Sequence, residues 1–319
     1  MKYIFIISFL VFSFFQNSLK AQTPDTVKIG CYVISIHDMN FHNEEYTARF
    51  WIWMVFKNKK LNFKDDIEIP NAKSIDIDEY IEDSTGDKRW VQMKLKCVMK
   101  QTYAIADYPF DSQHLNIIIE NSKYNASELI YVADTVGKFY DPSMAMIGWN
   151  ISKFKISTGF SHYLTGFGDE SLKKPESDYT KFNIDLEIER NAWGLFFKLF
   201  LGMYVAFAIS YVSFFIDARK ADPRFGLPVG GLFAGVGNKY IVDAYLPETS
   251  TITTVDILHG VTFTYIFLMI AISAVSLRYE EDGMLKESER TDVITRWVMG
   301  ISYILINIGV TFYAIVHAS

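Results

Sequence analysis

The sequence predicts an all-β domain followed by an all-α membrane domain of four helices. Short segments rich in β-branched and aromatic residues, separated by turn residues, fill the first part of the chain. Long apolar runs fill the second part. The change falls at Arg190, where the last β-like segment, FNIDLEIER, ends. We therefore expect the domain boundary there, with residues 22–190 in the first domain and 191–319 in the second.

The amino-terminal segment MKYIFIISFLVFSFF has the pattern of a secretory signal peptide. It has one lysine and an apolar run too short for a membrane helix, and the polar segment QNSLKA follows it. Cleavage is expected after Ala21, which makes residues 1–21 the signal peptide. The domain that follows is therefore expected to be exported.

Residues 22–190 contain several candidate strands and no long apolar run. The strand-like segments include TVKIGCYVISIH, YTARFWIWMVFK, RWVQMKLKCVMKQTY, HLNIIIE and GWNISKFKIS, and polar joints such as EDSTGDK separate them. This spacing favours an all-β, immunoglobulin-like sandwich. Cys31 and Cys97 could pair in an oxidising compartment, but we favour two buried free thiols.

Three apolar runs in residues 191–319 predict membrane helices, at about 193–216, 255–277 and 294–316. Basic residues follow the first run and the second, and such residues collect on the cytoplasmic side. They are Arg219, Lys220 and Arg224, then Arg278, Lys286 and Arg290. Both groups face the cytoplasm only if residues 225–242 form a fourth crossing. The C-terminus then lies outside with the β domain, in a multi-pass protein of the inner (plasma) membrane.

The segment 225–242 is too polar and too rich in glycine for a helix surrounded by lipid, since each glycine costs about 1 kcal/mol relative to alanine. We expect it inside a bundle, where small residues allow close packing. One face of this helix shares small or aromatic residues and ends in an acid: Asp222, Gly226, Gly230, Phe233, Gly237, Tyr240 and Ala244. The residues alone leave two interpretations open, a pore lining and a packing face in a sensor domain.

Several motifs resemble those of the pentameric ligand-gated ion channels, in the form found in bacteria. YPFDSQ at 108–113 resembles the family's most recognisable loop, although Gln101 and Leu115 replace its flanking cysteines. Arg190 stands where the family keeps an arginine before the first membrane helix, and IGWNISKF at 147–154 is similar to a strand of bacterial members. Leu246 and Pro247 end the second helix as in the family. The resemblance spans the whole mature chain.

The resemblance implies a homopentamer with the second helix of each subunit around a pore. It also implies a coupling interface between the two domains, formed by Tyr108, Pro109, Phe110, Asp111, Arg190 and Pro247. Asp111 and Arg190 are expected to form a charge-assisted pair. A third, acidic member stays open among Asp38, Glu44 and Glu45.

The resemblance places a ligand site at aromatic residues, namely Trp51, Tyr124, Tyr163 and Tyr179. Ser122 replaces the family's central tryptophan, and Ile75 replaces another aromatic residue, which argues against an amine held by aromatic rings. The agonist is therefore expected to be another small ligand or a proton. Candidates for proton uptake in the exported part are His37, His42, Glu44, Glu45 and His114.

In the pore, Phe233 predicts a hydrophobic constriction that closes by excluding water. Asp222 favours monovalent cations as the permeant ions. Arg224 argues against cations unless it points to the cytoplasm or to another helix. Pro228 fits a helix that starts near Phe225, and an earlier start predicts a kink.

The alternative function is a membrane sensor or interaction protein that keeps the channel fold and does not conduct, which the glycines of the lining and Lys239 favour. An enzyme is not expected, because no Ser-His-Asp grouping, phosphate-binding loop or metal-ligand spacing stands out. We expect no cofactor. Membrane lipid is an expected partner, whereas the net charge of −6 argues against nucleic acid.

Overall fold

Two β-sheets face each other in the amino-terminal part of the chain, so the predicted β-sandwich is confirmed. The computed structural model describes residues 23–168 and 174–317, and the predicted signal peptide lies outside them. A one-turn helix, α1 (Phe63–Asp66), precedes β3. The strands are β1 (Asp25–Asn40), β2 (Glu45–Phe56), β3 (Ile67–Glu68), β4 (Ala72–Thr85), β5 (Lys88–Lys100), β6 (Ser112–Asn121), β7 (Leu129–Ala133), β8 (Trp149–Tyr163) and β9 (Ser177–Arg190).

The strand order is β4-β5-β2-β1-β7 in one sheet and β3-β6-β9-β8 in the other. Alternate residues of the central strands point inward, because successive side chains of a strand face opposite sides. In β9 the inward set is Phe182, Ile184, Leu186 and Ile188, all fully buried. The matching residues of β2 and β6 complete one continuous core between the sheets.

Both cysteines of the core are free thiols, as favoured from the sequence. Cys31 lies on β1 and Cys97 on β5, and both side chains are buried. Burial raises the pKa of each thiol to about 12. They therefore act as small apolar side chains of the core.

Four long helices follow the sandwich: α2 (Ala192–Val212, continued by a 3₁₀ turn, Ser213–Phe215), α3 (Ala221–Asp243), α4 (Thr254–Glu281) and α5 (Leu285–His317). Among the described residues, α2 with its turn, α4 and α5 are long and apolar enough to cross a membrane. The start of α4 is fixed by a capping box, in which Thr253 and Asp256 each bond the backbone of the other.

Helix α3 begins at Ala221, four residues before Phe225, so the earlier of the two starts considered from the sequence is the one observed. Pro228 therefore lies inside the helix and is buried. Because proline has no N–H, it cannot bond the carbonyl of Arg224, the residue four positions before it.

Helix α3 packs closely against α2 through glycine. A methyl group added at Gly231 would lie 2.6 Å from the carbonyl oxygen of Ala206 and would also overlap the Ser210 hydroxyl. A methyl group at the adjacent Gly230 would meet nothing within 4 Å. Gly231 therefore faces the contact with α2, whereas Gly230 faces open space.

We predict opposite effects of alanine at these two positions. Gly231→Ala pushes α3 away from the α2 backbone and should lower the apparent Tm, since overpacking costs about 1–3 kcal/mol. Gly230→Ala, the matched control, should leave the Tm unchanged or raise it, because alanine favours the helix by about 1 kcal/mol. Thermal unfolding of the purified proteins in one detergent measures both. Equal effects at the two positions would show that the α2–α3 contact is absent.

Candidate functional site

The end of the sandwich next to the helices is organised around an ion pair between Asp111 and Arg190. The β6–β9 register pairs Ser112 with Glu189, so the next residues along, Asp111 and Arg190, come together. Arg190 donates from Nε to Asp111 Oδ1 over 2.7 Å and from Nη2 to Oδ2 over 3.0 Å. The side chain of Asp111 is 1% exposed and that of Arg190 is 10% exposed. The pair expected from the sequence is thus present, and it is buried.

Three aromatic rings surround the Arg190 guanidinium. Its central carbon lies 4.0 Å from the ring centre of Trp149, 4.8 Å from that of Phe41 and 4.9 Å from that of Tyr108. A guanidinium is attracted to the negative face of an aromatic ring, most strongly where water is excluded. Phe41 and Trp149 are functional candidates that the sequence analysis did not identify.

Gln113 anchors the loop that carries Asp111. Its side-chain nitrogen donates to Asp111 Oδ2 and to the Ala104 carbonyl, both over 2.6 Å, and its oxygen accepts from the Ala104 N–H. The three acids left open as the third member of the coupling group have different surroundings. Glu45 binds Lys73, Asp38 binds His37, and Glu44 lines a cavity of about 370 Å³ that also borders Asp111 and Pro247.

The same loop rests on the helices. Phe110 contacts the rings of Trp193 and Phe196 at the start of α2, with ring centres 5.5 Å apart in each case. Tyr108 is buried with Leu246, next to the end of α3. The Ala106 carbonyl accepts from the N–H of Thr254, the first residue of α4, over 2.8 Å.

A second contact comes from the β1–β2 turn. His42 Nδ1 lies 3.2 Å from the Leu246 carbonyl oxygen, just beyond the end of α3. The sandwich therefore touches α2, α3 and α4 within one small area. We name this area, formed by residues 41–42, 106–111, 190 and the adjoining helix ends, the junction.

Two of the predicted ligand residues lie together on the four-stranded sheet. Tyr163 and Tyr179 have ring centres 5.7 Å apart, and Phe167 contacts both. The Tyr163 hydroxyl donates to Glu120 Oε2 over 2.9 Å, and Ser161 donates to the other oxygen of that carboxylate. Burial, together with the bond to Glu120, raises the pKa of Tyr163.

Glu120 and Glu68 are site residues that the sequence analysis missed. They lie directly opposite each other on β6 and β3, and Glu120 is buried. Partial burial and the neighbouring Glu120 carboxylate raise the pKa of Glu68. In the sequence, the acid that ends the apolar run IIIE at 117–120 could have indicated Glu120 as a site residue.

The other two predicted ligand residues lie elsewhere. Trp51 is on β2 of the five-stranded sheet, where the ammonium of Lys94 lies 5.4 Å from its ring centre. Tyr124 packs at the margin of the sandwich core. Within one chain, the structure therefore brings together Tyr163 and Tyr179 and leaves Trp51 on the opposite sheet.

Within the described part of the chain, one face of α3 has no packing partner. Phe233 is 74% exposed and Tyr240 is 80% exposed. A methyl group at Gly226, Gly230 or Gly237 would meet nothing within 4 Å. Asp222 and Ala244 are exposed on the same face.

Three polar side chains of α3 outside this face bind residues of other helices. Arg224 is fully buried and binds both oxygens of Asp292 on α5. Lys239 binds Asp256 on α4 at 2.8 Å and also Asp243. Asn238 bonds the buried ring of His259 on α4 over 3.0 Å. The exposed face consequently carries Asp222 as its charged residue.

Together these features define a class of protein: a membrane protein in which a β-sandwich is joined to a helical bundle through a buried ion pair. No family model matches the chain. Curated relatives do match, and they are ion channels.

The proton-gated ion channel of Gloeobacter violaceus is 22% identical over 282 residues, which cover 81% of this chain and 74% of the relative. The human gamma-aminobutyric acid receptor subunit rho-3 is 20% identical over 280 residues, 78% of this chain and 57% of the relative. The glutamate-gated chloride channel of Drosophila melanogaster is 21% identical over 219 residues, 68% of this chain and 44% of the relative. In the last two cases the match spans less than two thirds of the relative's length.

The resemblance to the pentameric ligand-gated ion channels is therefore confirmed, at low identity, and so is the membrane character of the chain. These relatives are channels and not enzymes, in agreement with the sequence analysis.

We predict strong coupling between Asp111 and Arg190 in a double-mutant cycle. Asp111→Asn or Arg190→Gln alone leaves a buried charge without its partner and should cost about 3–5 kcal/mol. The double variant should cost clearly less than the sum. Thermal unfolding, and evoked current where it is obtained, supply the measurements.

The exposed pair Lys153–Glu187 provides the control for this cycle, since its atoms are 2.8 Å apart but both side chains are about half exposed. Its coupling should be under about 1 kcal/mol. Additive effects of the Asp111 and Arg190 substitutions would mean that the buried pair does not form.

Proposed function

We propose that this chain is the subunit of a pentameric ligand-gated ion channel whose pore is lined by α3. The observation that carries the proposal is the exposed face of α3, which packs against none of the residues that the structure describes. Beside that face, Arg224, Asn238 and Lys239 bind residues of other helices instead. A polar, glycine-rich helix with one free face needs further copies of the chain to cover it in a membrane.

On this proposal α3 is the fourth membrane crossing. Residues 22–190 form an exported, immunoglobulin-like domain that follows a cleaved signal peptide, and residues 191–319 lie in the inner membrane with the C-terminus exported. Lipid covers the exposed apolar side chains of the other three helices, such as Phe197 on α2, Phe267 on α4 and Phe312 on α5. Pentameric assembly follows from the family resemblance and from the need to bury α3.

The proposed channel favours monovalent cations. Asp222 supplies a carboxylate at the cytoplasmic mouth of the pore, and the symmetry of the assembly repeats it as a ring. Arg224, which argued against cations in the sequence, is withdrawn to Asp292 and does not oppose this ring. The glycines at 226, 230 and 237 leave the pore wide on either side of Phe233.

The proposed ligand site lies between two subunits. Tyr163, Tyr179 and Glu120 belong to one sheet and Trp51 to the other, so two neighbouring subunits would bring them together. The agonist is a small ligand or a proton. Support for the proton comes from the name of the Gloeobacter relative and from the buried Glu120 facing Glu68. Movement of this interface reaches α3 through the junction, where Asp111, Arg190 and Pro247 couple the two domains.

We predict that Phe233 is the gate. Phe233→Ala removes the apolar constriction and should give current without stimulus, and Phe233→Ser should give more, because a hydroxyl helps to wet the pore. Val236→Ala on the same helix, outside the lining face, is the control and should stay closed at rest. Single-channel recording in bilayers at several pH values measures the currents, and native mass spectrometry establishes assembly.

The non-conducting sensor makes the opposite prediction for the same variants. There Phe233 packs between helices of neighbouring subunits, so Phe233→Ala would lower the Tm and pass no current. An assembled, destabilised and silent Phe233→Ala protein would refute the pore and leave the sensor standing.

We also predict that Asp222 determines ion preference. Asp222→Asn removes the carboxylate ring and should move the reversal potential under a KCl gradient toward zero. The charge-matched control is Asp282→Asn, which removes an exposed acid from the turn between α4 and α5. This control should leave the reversal potential unchanged. Equal reversal potentials in Asp222→Asn and the unmodified channel would exclude Asp222 as the selectivity residue.

A further inference from the structure

The first turn of α3 contains two residues of opposite charge that face opposite directions. Asp222 lies on the exposed face, whereas the Arg224 side chain is 0% exposed. The Arg224 guanidinium donates to both Asp292 oxygens, one of them at 2.7 Å, and to the Ile216 carbonyl oxygen at 2.8 Å. Three acceptors from α5 and from the end of the preceding helical segment thus hold one cation.

We propose that Asp292 is a positioning residue for ion selectivity, because its carboxylate keeps Arg224 out of the pore mouth. This inference rests on the proposed channel function and extends it to a residue of α5. Asp292 itself does not touch the permeation path. It acts by fixing where the positive charge of Arg224 lies.

The physical reason is the cost of a buried charge without its partner. Removing one member of a buried ion pair leaves the other in a medium that solvates it poorly. Arginine has a long flexible stem and can carry its charged group to water while the stem stays packed. On the proposed function, the mouth of the pore contains water, and Asp222 lies there, two residues from Arg224. Arg224 relocated there would neutralise the carboxylate ring.

The other basic residues around this end already have local partners or positions that do not depend on Asp292. Arg219 binds Asp217 two residues away, at 2.8 Å, and both belong to the turn between the helices. Lys220 is exposed before α3 begins, and Arg296 donates to the Phe214 carbonyl oxygen over 2.9 Å. Arg224 is therefore the cation whose position changes when Asp292 is lost.

The experiment compares reversal potentials under a KCl gradient in the full-length channel. Asp292→Asn should move the potential toward zero, as Asp222→Asn does. Arg224→Gln alone should leave the potential unchanged, and Arg224→Gln in the Asp292→Asn background should restore it. Glu289→Gln removes an exposed acid one turn earlier on α5 and is the control, expected to behave as the unmodified channel.

A second measurement does not require current. Phenylglyoxal modifies accessible guanidinium groups, and mass spectrometry of a chymotryptic digest locates the modification. Arg224 should be modified at least about tenfold faster in assembled Asp292→Asn than in the unmodified protein, because no buried partner retains it. The labelling experiment works even if the unmodified protein passes no current. The absence of current would refute the proposed channel function, whereas faster labelling would still show that Asp292 positions Arg224.

Two outcomes would overturn the inference. One is an assembled Asp292→Asn protein in which Arg224 stays protected and the reversal potential is unchanged. The other is a shift in the Arg224→Gln single variant, which would show that Arg224 already faces the pore. The double variant removes both charges of the pair, so it remains informative if either single variant fails to assemble.

Discussion

The rest of the structure depends on the burial of one guanidinium at the end of the last strand. Arg190 can lie there because Asp111 satisfies its charge and the rings of Phe41, Tyr108 and Trp149 cover its faces. The carboxylate comes from β6, which pairs with β9, and the rings come from three other places in the sandwich. Helix α2 begins two residues after Arg190, so the same contacts fix where the helical bundle starts.

The helices also pair their buried charges. Two basic side chains of α3 lie away from its exposed face because acids on other helices bind them. Asp292 holds Arg224 near one end of α3, and Asp256 holds Lys239 near the other. Each pair removes a cation from a glycine-rich surface and also ties α3 to a neighbouring helix. The character of the exposed face is therefore set in part by acids on α4 and α5.

The sequence predicted the sandwich and three membrane helices because alternation and apolar length are local properties of the chain. The Asp111–Arg190 pair was accessible through the YPFDSQ motif. Phe41 and Trp149 could not be identified as neighbours of Arg190, because no sequence pattern relates them to it. Asp292 lies in the charged run KESERTD, which is typical of a solvated surface, and only packing shows that it is a buried partner. The early start of α3 was obscured by Pro228, which local propensity places nearer the first turn.

The junction explains how, on the proposed function, a local change in the sandwich would reach α3. Its contacts converge on helix ends: Phe110 on α2, His42 at the Leu246 carbonyl after α3, and Ala106 at the first N–H of α4. The first N–H groups of a helix have no partner inside it, so the bond from the Thr254 N–H to the Ala106 carbonyl satisfies a group that would otherwise need water. Breaking that bond therefore costs more than losing an apolar contact of similar size. Because Gln113 binds both Asp111 and Ala104, the 104–111 loop is tied to the ion pair, and displacement of β6 would move the Phe110 and Ala106 contacts together.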